Sequence, residues 1–308
     1  EQSQVAISAS VGIACAPADG TDFKQLCRKA DIAMYEAKQD GRNTYHYYDQ
    51  QLDKATDEKF RLLQLLRKAL ITEQFELYYQ PMINLTTGEA TTIEALLRWP
   101  QADGSMIGPE QFIPLAESSG LINELGRWVI SQACTYCAQQ RQLGHSTLRV
   151  AVNISVIQFK DGLLQESVEK ALTEANLPAN ALELELTESL LINNTNQFQT
   201  QLNGLNSLGV KIAIDDFGTG YSNLGYIRNF NASILKIDRS FITSLCAEKQ
   251  DEPLVQAMIS MASTLGLQIV AEGVEDEATL NKLISLGCQI GQGYYWSKPI
   301  PGPELATW

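Results

Sequence analysis

Apolar and polar positions change period along the chain, and the changes mark elements. Val5 to Ala16 is small and β-prone, and Thr21-Asp22 then opens a helix with Leu26, Ala30, Met34 and Ala37 on one face. Gly41 stops that helix, and Thr44 to Tyr48 reads as a short strand. The polar run Asp49 to Glu58 follows, and a boundary is expected there: a first segment over 1–50, a linker over 51–57 and a main domain over 58–308.

The main domain opens with a helix carrying Phe60, Leu63, Leu66 and Leu70. Strands Phe75–Gln80 and Ala90–Arg98 are joined by Asn84-Leu85-Thr86-Thr87-Gly88, a link too short for a parallel crossover, so they are expected to form an antiparallel hairpin. Helices and strands then alternate. Helical patterns at 109–143, 163–175, 197–208, after Ser222, at 254–265 and at 278–286 precede strands at 148–154, 182–186, 210–214, 234–237, 268–271 and 288–290. Eight strands over roughly 250 residues fit an α/β chain with a TIM-like (β/α)8 barrel and an irregular start. A doubly wound open sheet is the structural rival.

Composition narrows the function classes. The chain has 308 residues, 44% hydrophobic and 19% charged, which is a globular composition. Its net charge of −13 argues against DNA or RNA as a partner, because nucleic-acid binding wants a basic footprint. No apolar run approaches the ~18 residues of a membrane span, and the start does not read as a signal peptide. With only His46 and His145, a His-rich metal site is nearly excluded. The six cysteines are scattered, which fits reduced thiols and a cytoplasmic location; Cys134 and Cys137 lie at i, i+3 in a helical pattern and read as core.

Polar residues interrupt the apolar strands at one end. Asn153 follows Val150-Ala151-Val152, Glu185 and Glu188 close 182–188, and Asp215-Asp216 follow Ile212-Ala213-Ile214. Lys236 and Asp238 lie in 234–238, and Glu272 follows Ile269-Val270-Ala271. One such residue is most simply a solvated strand end; five successive strands point to the mouth of a barrel. Carboxylates converging within about 5 Å raise one another's pKa unless cations neutralise them. An all-oxygen set without imidazole or thiolate favours Mg²⁺ or Mn²⁺, and adjacent aspartates can bridge two ions roughly 3.5–4 Å apart. Lys236 reads either as a contact to a phosphate or water, or as a salt bridge balancing Asp238. Phe217-Gly218-Thr219-Gly220-Tyr221-Ser222-Asn223 is not a dinucleotide fingerprint, since Asn223 stands at the third glycine position; a mobile loop or a tight turn remain.

Glu94-Ala95-Leu96-Leu97-Arg98-Trp99 resembles the signature of EAL-domain phosphodiesterases, which hydrolyse cyclic di-GMP to linear pGpG. Further segments match in family order: Tyr79-Gln80-Pro81, 112–117, 152–155, 185–188, 215–220, 235–238, 271–275 and 291–294. The resemblance covers about 58–308 and implies a barrel with one antiparallel strand. It implies that Glu94, Asn153, Glu185 and Asp215 hold one metal, and that Asp215, Asp216 and Glu272 hold a second. Lys236 would contact the hydrolytic water, Glu272 is also a candidate general base, and Glu188 would anchor the glycine loop. Gln80, Arg98 and Gln292 would contact substrate. Residues 1–50 resemble the C-terminal part of a GGDEF diguanylate-cyclase domain, through 8–14 and 30–45, without the GGDEF signature itself.

These resemblances imply two Mg²⁺ or Mn²⁺ ions, cyclic di-GMP as ligand, a homodimer, and an upstream GGDEF and sensor region that can carry a membrane anchor. Two rival functions remain at this level: a receptor that binds cyclic di-GMP without cleaving it, and a regulatory barrel switched through loop 217–223.

Overall fold

The computed structural model describes residues 8–40, 43–188, 190, 196–220, 230–246 and 251–305. Two compact units divide the chain, Glu1–Ile71 and Thr72–Trp308. In the first, β1 (Val11–Ile13) and β2 (Tyr45–Tyr47) pair in parallel on either side of α1 (Phe23–Gln39). Asp22 caps α1 by accepting a hydrogen bond from the Gln25 amide at 3.1 Å. Gly12 brings strand and helix together, because a Cβ there would run into the backbone of Ala30 and Met34. The next helix, α2, spans Gln50–Ile71, so residues 51–57, expected as a linker, are helical. That run contains no Pro or Gly, and polarity alone does not end a helix.

The second unit contains β3 (Glu76–Asn84), β4 (Ala90–Pro100), β5 (Met106–Ile107), β6 (Arg149–Asn153), β7 (Leu182–Thr187) and β8 (Lys211–Phe217). It continues with β9 (Ile234–Ile237), β10 (Gln268–Glu272), β11 (Ile290–Gln292) and β12 (Ile300–Pro301). Neighbours run β3-β11-β10-β9-β8-β7-β6-β4, and β3 pairs back with β4 to close an eight-stranded barrel. Only β3 is antiparallel to its barrel neighbours; Gln80 lies opposite Glu94. This is the TIM-like barrel that the strand count favours over a doubly wound sheet, with the single antiparallel strand that the family resemblance implies and the antiparallel pair that the short 84–88 link predicts.

The helical region expected over 109–143 is two helices, α3 (Pro109–Ser119) and α4 (Ile122–Gln142). Gly120, at φ 77°, takes the left-handed conformation that ends α3. Then come α5 (Val156–Asp161), α6 (Leu164–Ala175), α7 (Asn196–Leu208), α8 (Arg239–Thr243), α9 (Asp251–Thr264), α10 (Glu277–Ser285) and α11 (Gly302–Leu305). The one-turn helices α5 and α8, absent from the sequence reading, begin at capping residues Ser155 and Asp238. The helix expected after Ser222 lies outside the described residues. Among the described residues, no helix is long and apolar enough to cross a membrane.

Most of the core lies between barrel and helices. Cys134 and Cys137 are part of it, fully buried, and burial pushes their thiols up to about 12 and about 11. A separate apolar layer fills the barrel itself: Met82, Ala151, Ala213, Ile234, Val270 and Ile290. Because strand side chains alternate, the residues two places further along β6, β8, β9, β10 and β11 share this inward face at the next level. Those residues are Asn153, Asp215, Lys236, Glu272 and Gln292.

Candidate active site

Lys236 is the centre of that upper layer. Its side chain is 1% exposed, and its Nζ lies 2.6 Å from Glu272, 2.7 Å from Glu185, 3.2 Å from Asp215 and 3.7 Å from Glu94. Burial alone would lower the pKa of this ammonium, but the surrounding carboxylates outweigh it and hold the pKa well above the ordinary lysine value. Asp238, the alternative partner for Lys236, instead caps α8 by accepting from the Ser240 amide at 3.0 Å.

The carboxylates do not share the load evenly. Burial works against the charge of Glu94, yet Lys236 and the amides of Gln292 and Asn153 hold its carboxyl below the usual range. Asn153 Nδ2 donates to Glu94 Oε1 at 2.7 Å, and Gln292 Nε2 donates to Glu94 Oε2 at 2.6 Å. Among the described residues, Glu185 has no such amide donors. Burial, then the adjacent Glu94 charge, pushes it well up. Glu272 is raised to about 8, first by burial and then by Asp215, against the pull of Lys236. Asp216 is raised by burial and by Asp215.

Asp215, Asp216 and Glu272 each place one carboxylate oxygen within 4.8 Å of the others. Consecutive strand residues ordinarily face opposite ways. Here the β8–β9 register shifts between Ile214 and Phe217, and Asp216 sits at φ 54°. A hard, all-oxygen donor set with more negative charge than one ammonium can balance fits divalent cations such as Mg²⁺ or Mn²⁺.

The remaining expected site residues take distinct places. Glu188 Oε2 accepts from the Gly218 amide at 2.9 Å, which ties strand end 188 to the start of the glycine loop. Residues 221–223 of that loop lie outside the described residues. Gln80 and Gln292 face inward and bond to each other at 3.0 Å; Gln80 Nε2 also donates to the Ser297 carbonyl at 3.0 Å. Their amide N–H groups are thus directed at protein acceptors. Arg98 is half-buried near the rim, its guanidinium 5.5 Å from the Tyr78 ring centre. Burial lowers its pKa, while Tyr78, Glu94, Tyr294 and Glu110 act the other way.

Sequence reasoning missed the Ser297 carbonyl and the Tyr78 ring, which carry no motif. It also passed over the link from Ser155 Oγ to Glu117 Oε1 at 2.5 Å, although both residues lie in matched segments.

Comparison with known proteins places this geometry in a family. The EAL domain matches residues 64–299, and the diguanylate cyclase GGDEF domain matches residues 1–44. The chain is 42% identical over 302 residues to the bifunctional diguanylate cyclase/cyclic di-GMP phosphodiesterase MucR of Pseudomonas aeruginosa, covering 98% of this chain and 44% of MucR. It is 41% identical over 295 residues to the cyclic di-GMP phosphodiesterase NbdA of the same organism, covering 96% of this chain and 38% of NbdA. The chain therefore spans less than half the length of these two relatives. A solved structure, the PaMucR phosphodiesterase in complex with c-di-GMP, superposes with a TM-score of 0.77 at 42% identity, over 80% of this chain and 99% of that one. On the extent of the sequence match and the shared barrel, the chain belongs to the EAL domain family.

Proposed function

We propose that the barrel hydrolyses one phosphodiester bond of cyclic di-GMP to give linear pGpG, with Mg²⁺ or Mn²⁺ bound at its mouth. A water oxygen bonds to phosphorus, the P–O3′ bond breaks, and the leaving oxygen takes a proton from solvent to become a ribose hydroxyl. Divalent cations held by Glu94, Asn153, Glu185, Asp215, Asp216 and Glu272 would acidify the water and offset phosphate charge.

The chain's own groups supply the rest. The Glu272 carboxylate, at the edge of the cluster, accepts the proton of the attacking water. Lys236 Nζ, fixed by four carboxylates, orients that water and keeps the acidic ring together. Arg98 clamps a phosphate oxygen with its planar fork. Gln80 and Gln292 hold Glu94 in register, and Glu188 anchors the loop through the Gly218 amide.

The observation that carries this reading is the convergence of Asp215, Asp216 and Glu272 at the mouth where Glu94, Glu185 and Lys236 also meet. The names of MucR and NbdA support the substrate. The reading extends to a cytoplasmic homodimer, joined upstream to the rest of a GGDEF domain and a sensor. The match of residues 1–44 supports the upstream domain.

The test is incubation of the purified chain with cyclic di-GMP and Mg²⁺ or Mn²⁺ beside an EDTA control, with products resolved by chromatography. Linear pGpG that forms only with the cation is the expected result. Tight binding without cleavage replaces hydrolysis by the receptor function. Turnover retained in Glu94→Ala or Asp215→Ala overturns the assignment of the site.

A further inference from the structure

Four rim side chains stand beside the catalytic layer, and none belongs to the ligand cluster: Tyr78, Arg98, Tyr294 and Lys298. Strands β10 and β11 are parallel with Glu272 opposite Gln292, so Tyr294, two residues past Gln292, emerges at the end of the barrel that holds Glu272. Tyr294 is 56% exposed, and Lys298 Nζ lies over its ring, 5.4 Å from the ring centre. Across the same rim, Arg98 lies over Tyr78.

The backbone carrying Tyr294 is held firmly. The Val274 amide donates to the Gln292 carbonyl at 3.0 Å, and the Tyr295 amide donates to the Val274 carbonyl at 3.0 Å. Gly293 lies so close to Val274 that no side chain fits there. An exposed ring on a fixed backbone loses little entropy when it packs against a ligand. A cation over one face of the ring suits a ligand that is both flat and anionic, stacked on the other face.

We propose that Tyr294 is the stacking platform for one guanine base of the substrate, with Lys298 beside it as the cation that draws the neighbouring phosphate. The inference rests on the hydrolase reading above and extends it to base recognition. Three arguments support it. A cyclic dinucleotide presents two purine faces, and base–aromatic stacking needs only an accessible π-face. The inward amides that might read base edges, on Gln80 and Gln292, already donate to Ser297 and Glu94. Tyr294 is too exposed for a core role.

Steady-state kinetics of wild type, Tyr294→Ala, Tyr294→Phe and Lys298→Gln with cyclic di-GMP and Mg²⁺ test this directly. Tyr294→Ala should raise KM about tenfold with kcat within about threefold, while Tyr294→Phe stays within about twofold on both. Lys298→Gln should raise KM about threefold and flatten its dependence on salt. Inhibition separates base from phosphate: GMP should inhibit wild type and lose most of its effect on Tyr294→Ala, whereas ribose 5-phosphate should inhibit both alike. An unchanged KM in Tyr294→Ala, or a fall in kcat at constant KM, overturns the platform and leaves the hydrolase standing. Absence of turnover in wild type overturns the hydrolase, and the platform with it.

Discussion

Asp215 and Asp216 are neighbours in the chain, yet both bring a carboxylate oxygen within 4.8 Å of Glu272. A regular strand would turn the second one away. The β8–β9 register shift and the left-handed backbone of Asp216 remove that alternation, and they place strained backbone where charge is concentrated.

The substitution series at this position separates conformation from charge. Asn tolerates φ near 54° and matches the shape of Asp, so Asp216→Asn should keep or slightly raise Tm while losing cation-dependent turnover. Asp216→Val should lose turnover and also about 1–3 kcal/mol of stability, several degrees in Tm, because a β-branched residue resists that backbone. Equal Tm values for the two variants would mean that the bulge is not strained.

Gln292 is expected from the family resemblance to touch substrate, but its amide donates to Glu94 at 2.6 Å and to Gln80 at 3.0 Å. A residue that orients a ligand acts first on the ligand's cation. Gln292→Ala should therefore weaken Mn²⁺ binding about tenfold by calorimetry. A substrate contact alone would raise KM and leave the Mn²⁺ affinity unchanged.

Gly293 and Gly88 form a paired control on packing. A Cβ on Gly293 would run into the backbone of Val274, whereas a Cβ on Gly88 meets nothing within 4 Å. Gly88 carries the unfavourable φ of 74° and nothing worse. Thermal melts should show Gly88→Ala losing about 1 kcal/mol and Gly293→Ala at least twice that. Similar losses would show that the 274–293 contact yields easily.

Much of the barrel was legible because its signals are local and repeated. Apolar strands ending in a polar residue gave the order, and the five-residue link 84–88 gave the antiparallel hairpin. The break at Gly120 was harder to read, since a glycine inside a periodic run is compatible with one helix or two. The register shift at Asp215-Asp216 left no periodic trace. The roles of Gln80 and Gln292 depend on partners about 200 residues away in sequence, so no window along the chain could have reported them. The helix over 51–57 was legible too, since that run holds no Pro or Gly, but its polarity reads as a linker when polarity is taken for the boundary signal.

Beneath the catalytic layer, Glu183 tests how the barrel interior tolerates charge. It is 1% exposed, and among the described residues neither carboxylate oxygen has a hydrogen-bond partner. Arg149 Nε stands 3.9 Å away, while the Arg149 guanidinium donates to Thr92 and Gln268. Burial raises the Glu183 carboxyl, against the attraction of Arg149 and Lys236. An acid raised in the folded state keeps its proton after the unfolded chain has lost it. Its contribution is therefore most favourable at low pH and declines as pH rises from the unfolded pKa through the folded one. Glu183→Gln, which mimics the protonated form, should raise Tm at pH 8 more than at pH 5. Arg149→Met removes the nearest cation and should cost about 2–4 kcal/mol at pH 8 and less at pH 5. Melts in which Glu183→Gln shifts Tm equally at both pH values would place Glu183 in the same protonation state throughout.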